Sequence, residues 1–436
     1  MRGRYFLCVI CLLAPVVAHA QTPQKRDSVA KADSIARADS IAIVRELEAA
    51  QTGGPGASTG LTGTQRGPSN PRLMPDISAI GDIVADFSPK GSTQETGRRI
   101  DIREVELALS SAVDPYFRAD FILGISDAEG IAVEEAYLTA TALPWQSAAR
   151  IGRFHMPFGK QNTTHRAELQ TIEYPHVIQQ FLGPEGSKGT GLWFSKIFAP
   201  LGFYQELQLT AVDHFGESEE DEELTAAEPA NKKLSGLGYS ARFRNYVDIS
   251  ESTNLELSAS AATGKRPQPV SCDAAIDCFT SDGFNAVNAR QSLVGLDATF
   301  RWRPLQQGLY KSFILQAELM RQINDRDDDL EQAAIPAAYA GPVRNATGAY
   351  VFSRYQLSRR SYLGARYDWV QDPFADSDAS EGSVKAASGY LQFFPSEFSK
   401  FVIAFERQFA AGDRRALNRF LIQTTFAIGP HRPHPF

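Results

Sequence analysis

The chain has 436 residues, with 44 basic and 51 acidic side chains and a formal net charge of −7. This acidic balance argues against a nucleic-acid partner, which would need a basic surface. After the first twenty residues, no apolar run is long enough for a membrane-spanning helix. The mean hydropathy of −0.26 suits a soluble protein. It also suits a membrane β-barrel, in which every second residue faces a wet interior.

Residues 1–20 have the layout of a secretory signal peptide. Arg2 and Arg4 give a positive start, residues 6–17 are apolar, and Ala-His-Ala completes a cleavage site. The apolar stretch is short for the alternative, an uncleaved membrane anchor. We therefore expect export, and a mature chain that begins at Gln21.

The segment that follows differs in composition from the rest of the chain. Residues 21–51 repeat an Asp-Ser-Ile-Ala-like pattern every six residues and are rich in helix-favouring residues. They predict a short periplasmic helix. The helix could self-associate as a coiled coil, although coiled coils usually repeat every seven or eleven residues rather than every six. A low-complexity spacer is the alternative. Residues 52–73, rich in Gly, Ser, Thr and Pro, predict a flexible linker.

Residues 74–436 predict an all-β fold, a transmembrane antiparallel β-barrel of about sixteen strands. Between Gln291 and Trp302, alternate residues form one almost wholly apolar face and one face that carries both charges. Lipid-facing positions must be apolar, because a charge there costs about 2–4 kcal/mol near the bilayer midplane. Similar stretches lie at 75–87, 98–110, 116–125, 131–142, 148–158, 190–198, 203–213, 236–246, 253–263, 313–319, 348–357, 362–370, 384–394, 401–409 and 417–428.

The spacing of these stretches predicts how the barrel is oriented. Long connections lie at 159–189, 214–235, 264–288, 322–346 and 371–383, and they alternate with short turns. Barrels of the Gram-negative outer membrane have short periplasmic turns and long external loops, so both ends of the barrel domain are expected on the periplasmic side. A soluble all-β protein, the alternative, has no reason to alternate in this way. Phase slips at 103–105 and 133–135 predict two β-bulges.

Three segments resemble the phosphate-selective porin-like superfamily: residues 103–120, 133–138 and 151–159. The last, Ile-Gly-Arg-Phe-His-Met-Pro-Phe-Gly, is similar to a strand end typical of that superfamily. The resemblance implies a sixteen-stranded barrel that forms a homotrimer, with a periplasmic N-terminal helix and an inward-folded third loop. It does not imply phosphate selectivity, because the loop at 159–189 contains residues of both charges.

Loop 159–189 is the main candidate functional segment, because a long irregular loop in a compact domain usually has a function. An extracellular cap is the alternative. The candidate pore-constriction residues are Lys160, His165, Arg166, Glu168, Glu173, His176 and Lys188. A constriction of mixed sign gives only a weak ion preference. Candidate lumen-wall residues that would guide anions are Arg118, Arg153, Arg301, Arg303, Arg321, Arg354 and Arg366. Alternatively, these arginines only brace the barrel by pairing with Asp120, Glu135, Asp297, Glu318 and Asp368.

The mature chain keeps two cysteines, Cys272 and Cys278, in a polar stretch. In the oxidising compartment that export implies, such a pair usually closes a loop. A disulfide is therefore favoured over a metal site, for which no histidine lies near. The chain contains none of the common catalytic motifs, so we expect no enzymatic activity, no cofactor and no metal.

The sequence thus predicts a porin-type channel in the outer membrane, surrounded by lipid, for passive diffusion of small polar or ionic solutes, with anions as one option. Two alternatives stay open. One is a structural or tethering barrel with a blocked lumen, and the other is a barrel hydrolase.

Overall fold

The computed structural model describes residues 75–127, 130–216, 230–269, 286–325, 344–373, 382–410 and 415–429. The predicted signal peptide, repeat and linker lie outside the described residues, as do Cys272 and Cys278. Within the described ranges, no helix is long and apolar enough to cross a membrane.

Sixteen strands form one antiparallel sheet, and β1 pairs with β16 to close it into a barrel. The strands are β1 (Asp76–Asp86), β2 (Ile100–Ala112), β3 (Phe117–Ser126), β4 (Gly130–Leu143), β5 (Ser147–His155), β6 (Lys188–Phe198), β7 (Tyr204–Val212), β8 (Gly238–Ser250), β9 (Thr253–Pro269), β10 (Ala286–Trp302), β11 (Phe313–Asp325), β12 (Ala346–Gln356), β13 (Ser361–Val370), β14 (Val384–Ser396), β15 (Ser399–Gln408) and β16 (Leu417–Ile428). One α-helix of the described chain, α1 (His176–Leu182), lies between β5 and β6. The predicted fold class and the predicted strands are confirmed.

The outer face of the barrel is apolar, which is the reverse of a soluble protein. On β15, Phe401, Ile403 and Phe405 are 41–49% exposed, whereas the intervening Val402 and Ala404 are buried. Closure leaves no free sheet edge, so every strand can make its backbone hydrogen bonds within the sheet. A closed sheet with apolar side chains outside is the form in which β-structure crosses a bilayer.

Two register shifts lie where the alternation slips in the sequence. The β1–β2 pairing skips Arg103, and the β3–β4 pairing skips Glu134. Each bulge allows two consecutive charged residues to be buried, Arg103 with Glu104 and Glu134 with Glu135. Both predicted bulges are therefore confirmed, and their effect is to concentrate charge on the inner wall.

The strand connections are mostly short at one end of the barrel and long at the other. Short turns include 113–116, 144–146 and 357–360, whereas the opposite end has connections such as 87–99 and 156–187. The β3–β4 connection is an exception, because it is short at the long-loop end. By the length rule the short-turn end is periplasmic, and both β1 and β16 have their outer termini there.

Residues 156–187, hereafter the inner loop, fold into the barrel. In α1, Val177, Ile178 and Phe181 are fully buried in a core that includes residues of β7 and of β9 to β13. On the opposite side, Ile172 packs in a second cluster with Val84 of β1 and with residues of β14 to β16. The inner loop therefore extends across the lumen from one wall to the other.

Candidate pore site

The inner loop enters the lumen beside a buried carboxylate on β11. Glu318 accepts hydrogen bonds from the backbone N–H groups of Lys160 at 3.0 Å and Gln161 at 2.8 Å, and from the hydroxyl of Tyr350 at 2.6 Å. Gly159 precedes this contact with a φ of +60°, and a Cβ there would lie 2.1 Å from Glu318 Oε2. Glycine is needed because it alone allows both the dihedral angle and the close approach.

Charged groups on the later strands hold the rest of the loop. The N–H of His176 donates to Asp368 at 3.1 Å, and Arg366 donates to the carbonyl of Glu173 at 2.7 Å. The amine of Lys400 donates to two loop carbonyls at 2.8 and 3.0 Å. Because a buried backbone group without a partner is costly, these contacts stabilise a segment that has little regular structure.

Each predicted constriction residue lies in the lumen or at its wall, and most are paired. Lys160 contacts Glu256 at 2.8 Å, and His176 contacts Glu406 at 3.4 Å. Glu173 bridges Arg103 and Arg419, at 3.2 Å each. Arg166 contacts Glu185 at 3.2 Å, Lys188 binds both Glu185 and Glu134, and His165 lies between Glu106 and Glu135.

Glu168 is the exception, since its carboxylate makes no ion pair with any described residue. The other pairings neutralise most of the charge of the loop, as expected for groups taken out of water.

Neighbouring charges shift the pKa values of two residues of the inner loop. Burial by itself would lower the pKa of His165, but Glu106 and Glu135 reverse this effect and raise the pKa to about 10. The imidazole is therefore protonated at neutral pH. Burial would raise the pKa of Glu185, but Arg166 and Lys188 hold it at about 2.

Three of the predicted wall arginines face the lumen along its length. Arg301 pairs with Glu256 at 3.1 Å, and Arg366 pairs with Asp368 at 2.7 Å. The Arg354 guanidinium lies over the ring of Tyr362 at 4.7 Å, and no carboxylate within the described residues pairs with it.

Arg118 is on the inward face at the short-turn end. It is half exposed there, 3.4 Å from Asp120.

Three wall predictions were wrong. Arg153 shares the outer face of β5 with Ile151 and pairs across the sheet with Thr190, and Arg321 is exposed on the outer face of β11. Both lie close to the long-loop ends of their strands, where the cost of an outward charge falls towards zero. Arg303 follows β10 in a turn and donates to the carbonyl of Gly308 at 3.0 Å.

Two cavities lie on opposite sides of the inner loop, and they share no lining residue. The cavity at the short-turn end, hereafter the basic vestibule, has a volume of about 530 Å³. The other, at the long-loop end, has a volume of about 330 Å³. The ionisable residues that line the basic vestibule, apart from one tyrosine, are Lys160, Arg301, Arg354, Arg359, Arg360, Lys400, Glu168 and Glu397.

Several charged residues of the lumen were absent from the sequence prediction. They are Arg103, Arg150, Arg242, Arg244, Glu256, Lys400, Glu406 and Arg419. Most occupy inward positions of predicted strands, so the alternation of polar and apolar residues contained the signal for them. Arg103 is inward because of the bulge.

No protein-family model matches the chain. A protein of Aquifex aeolicus, described only as uncharacterized, is 25% identical over 355 residues, which is 78% of this chain and 70% of that protein.

Solved structures with a similar fold are outer-membrane proteins. The anion-selective porin from Comamonas acidovorans has a TM-score of 0.52 and 11% identity, over 81% of this chain and 99% of that one. Pseudomonas putida OprB at high pH has a TM-score of 0.52 and 8% identity, over 81% and 94%. A loop-deletion mutant of Vibrio cholerae OmpT has a TM-score of 0.51 and 9% identity, over 81% and 99%.

The fold and the charged lumen define an outer-membrane β-barrel of the porin type. At these identities the likeness concerns the fold alone. The predicted porin-like barrel is confirmed, whereas membership of the phosphate-selective superfamily stays a prediction.

Proposed function

We propose that this protein is a channel for passive diffusion of small polar and ionic solutes, with the inner loop as its constriction and a preference for anions. The observation that carries the proposal is the charge of the basic vestibule. Four of its cations, Arg354, Arg359, Arg360 and Lys400, have no carboxylate partner within the described ranges. Only Glu168 and Glu397 oppose them.

An excess of one charge in a narrow aqueous space raises the local concentration of ions of opposite sign. The fixed charges that are paired, such as Lys160 with Glu256, contribute little to this excess. The Comamonas porin is named as anion-selective. It supports the proposal only by analogy of fold.

A structural barrel with a blocked lumen is the second candidate. It is supported by the Ile172 cluster, which joins the inner loop to the wall opposite α1, and by the separation of the two cavities. Under this alternative, deletion of residues 21–70 would impair the cell more than any change in the lumen.

Hydrolysis is not part of the proposal. The rings of His155, His165 and His176 contact carboxylates or each other.

The assembly and the N-terminal segments complete the proposal. Because the sequence resembles the phosphate-selective porin-like superfamily, we propose a homotrimer. Chemical cross-linking in detergent would then give a species with three times the mass of one chain. On composition, we propose that residues 1–20 are cleaved and that residues 21–51 form a periplasmic helix, joined to the barrel by residues 52–73.

The deciding experiment is conductance of the refolded mature protein in a planar lipid bilayer with a salt gradient. Discrete current steps with a reversal potential of the anion-selective sign support the proposal. Current steps with a reversal potential of the cation-selective sign would support a channel but contradict the anion preference. A folded barrel without steps would favour the structural alternative.

A further inference from the structure

Three ligand-type side chains meet where the inner loop leaves the wall. Glu135 lies beside the bulge of β4, His155 ends β5, and His165 belongs to the inner loop. One ligand atom from each lies within 4.8 Å of the others. Nε2 of His165 is 3.3 Å from Oε2 of Glu135, and two ligands of a tetrahedral zinc ion with bonds of about 2.0–2.1 Å are about 3.3 Å apart.

His155 is the side chain that points to a missing ligand. It is only 7% exposed, and neither of its ring nitrogens has a hydrogen-bond partner. Its ring meets that of His165 edge to face, with 4.8 Å between the ring centres. A buried imidazole without any partner is unfavourable, and a bound cation would give one nitrogen a partner.

Glu106 has the position of an outer partner. Its Oε1 lies 3.6 Å from Nδ1 of His165, on the side of the ring away from Glu135. Histidines that bind metals through one nitrogen usually donate the other N–H to a carboxylate, which orients the ring. Glu106 therefore fits the second shell of a metal bound through Nε2.

The surrounding charge also favours a cation. Five carboxylates of this region interact closely, against two permanent cations and the imidazolium of His165. Arg103 is not counted, because it pairs with Asp82 and Glu173. The carboxylates are Glu104, Glu106, Glu134, Glu135 and Glu185, and the two cations are Arg166 and Lys188. Buried like charges repel each other unless a counter-charge is present.

We propose that Glu135, His155 and His165 bind one divalent transition-metal ion of the zinc type, which on binding would displace the proton from Nε2 of His165. Imidazole nitrogens with a carboxylate suit zinc, whereas calcium and magnesium prefer oxygen ligands only. The ion would join β4, β5 and the inner loop, and so fix the constriction loop to the barrel wall. This site does not depend on whether the lumen conducts.

The test uses the full mature chain without an affinity tag, refolded in detergent and freed of metal with EDTA. Cys272 and Cys278 are both changed to serine, because thiolates could bind zinc elsewhere. Equilibrium dialysis against zinc chloride should give one tightly bound ion per chain. His165→Ala should weaken this binding by more than about 100-fold, and Glu106→Gln by about 10–100-fold, as for the loss of a second-shell partner.

His176→Ala is the matched control, because His176 is also a loop histidine beside a carboxylate but lies outside the cluster. It should bind zinc as the parent does. X-ray absorption of the zinc-loaded parent should show two imidazole ligands, a readout that needs no variant to fold. Absence of tight zinc binding, a spectrum without imidazole, or equal binding by His165→Ala and His176→Ala would overturn the proposal.

Discussion

Replacing Arg354 with glutamine tests whether the basic vestibule determines ion preference. The guanidinium lies on the inward face of β12, over Tyr362 and 3.5 Å from the side-chain oxygen of Gln392. Because no described carboxylate pairs with it, the substitution removes one positive charge and leaves no buried anion without its partner.

The expected size follows from Coulomb's law. An anion that passes 4 Å from the Arg354 guanidinium is stabilised by about 1 kcal/mol in water, and an anion at 8 Å by about 0.5 kcal/mol. Screening over a Debye length of about 8 Å reduces these values to about 0.6 and 0.2 kcal/mol. Because the charge repels a cation by the same amount, the anion-to-cation permeability ratio should fall about two- to eightfold.

The assay is the reversal potential across a planar bilayer in a potassium chloride gradient. Arg407→Gln is the matched control, because it removes the same charge from an exposed position on the outer face of β15. An Arg354→Gln channel with the reversal potential of the wild type would refute the reasoning, as would an equal shift in both variants.

Three further predictions concern the inner loop. Glu318→Ala leaves the N–H groups of Lys160 and Gln161 without an acceptor. Unfolding in urea should therefore show a free energy of unfolding that is lower by about 1–3 kcal/mol per group. Glu318→Gln should lower it by less, and equal losses in the two variants would contradict this account. Ile172→Ala should cost about 2–5 kcal/mol of stability and raise the single-channel conductance, because it removes packing between the two cavities; an unchanged conductance would mean that solutes do not pass there. The pKa of His165 is raised from 6.5 to about 10, so its charge stabilises the fold fully below pH 6.5 and less as the pH rises through 10. With EDTA present, the stability difference between wild type and His165→Gln should therefore shrink between these values, and a constant difference would argue against a charged imidazole.

The strands could be predicted from the sequence because lipid imposes a strict rule on one face of each. In β15, Phe401, Ile403 and Phe405 face outwards as the alternation requires, and Arg407 does so at the long-loop end. Even the bulges were visible, since a skipped residue shifts the phase of the alternation.

The errors arose where that rule weakens. The sequence analysis places Arg153 and Arg321 in the lumen, yet near the rim a charge can face outwards at little cost. In β11 the outward position of Arg321 follows from Leu315 and Leu319, which occupy the same face. There the position within the alternation, rather than the charge of the residue, was the better guide.

The path of the inner loop could not be predicted from local sequence. Its length was apparent, but its position depends on partners such as Glu318 and Lys400 on distant strands. The proximity of Glu135, His155 and His165 likewise requires the bulge of β4 and the return of the loop towards it.

The anchoring of the inner loop also determines the order in which the molecule can be completed. The loop follows β5, but many of its hydrogen-bond partners lie on β11 to β16, at sequence separations from 155 to 246 residues. During synthesis the loop therefore emerges long before these later partners. Contacts between such distant positions form slowly, because they require the closure of long loops. An unfinished barrel thus lacks the later contacts of its constriction, and the pairing of β16 with β1 both seals the wall and brings Arg419 to Glu173.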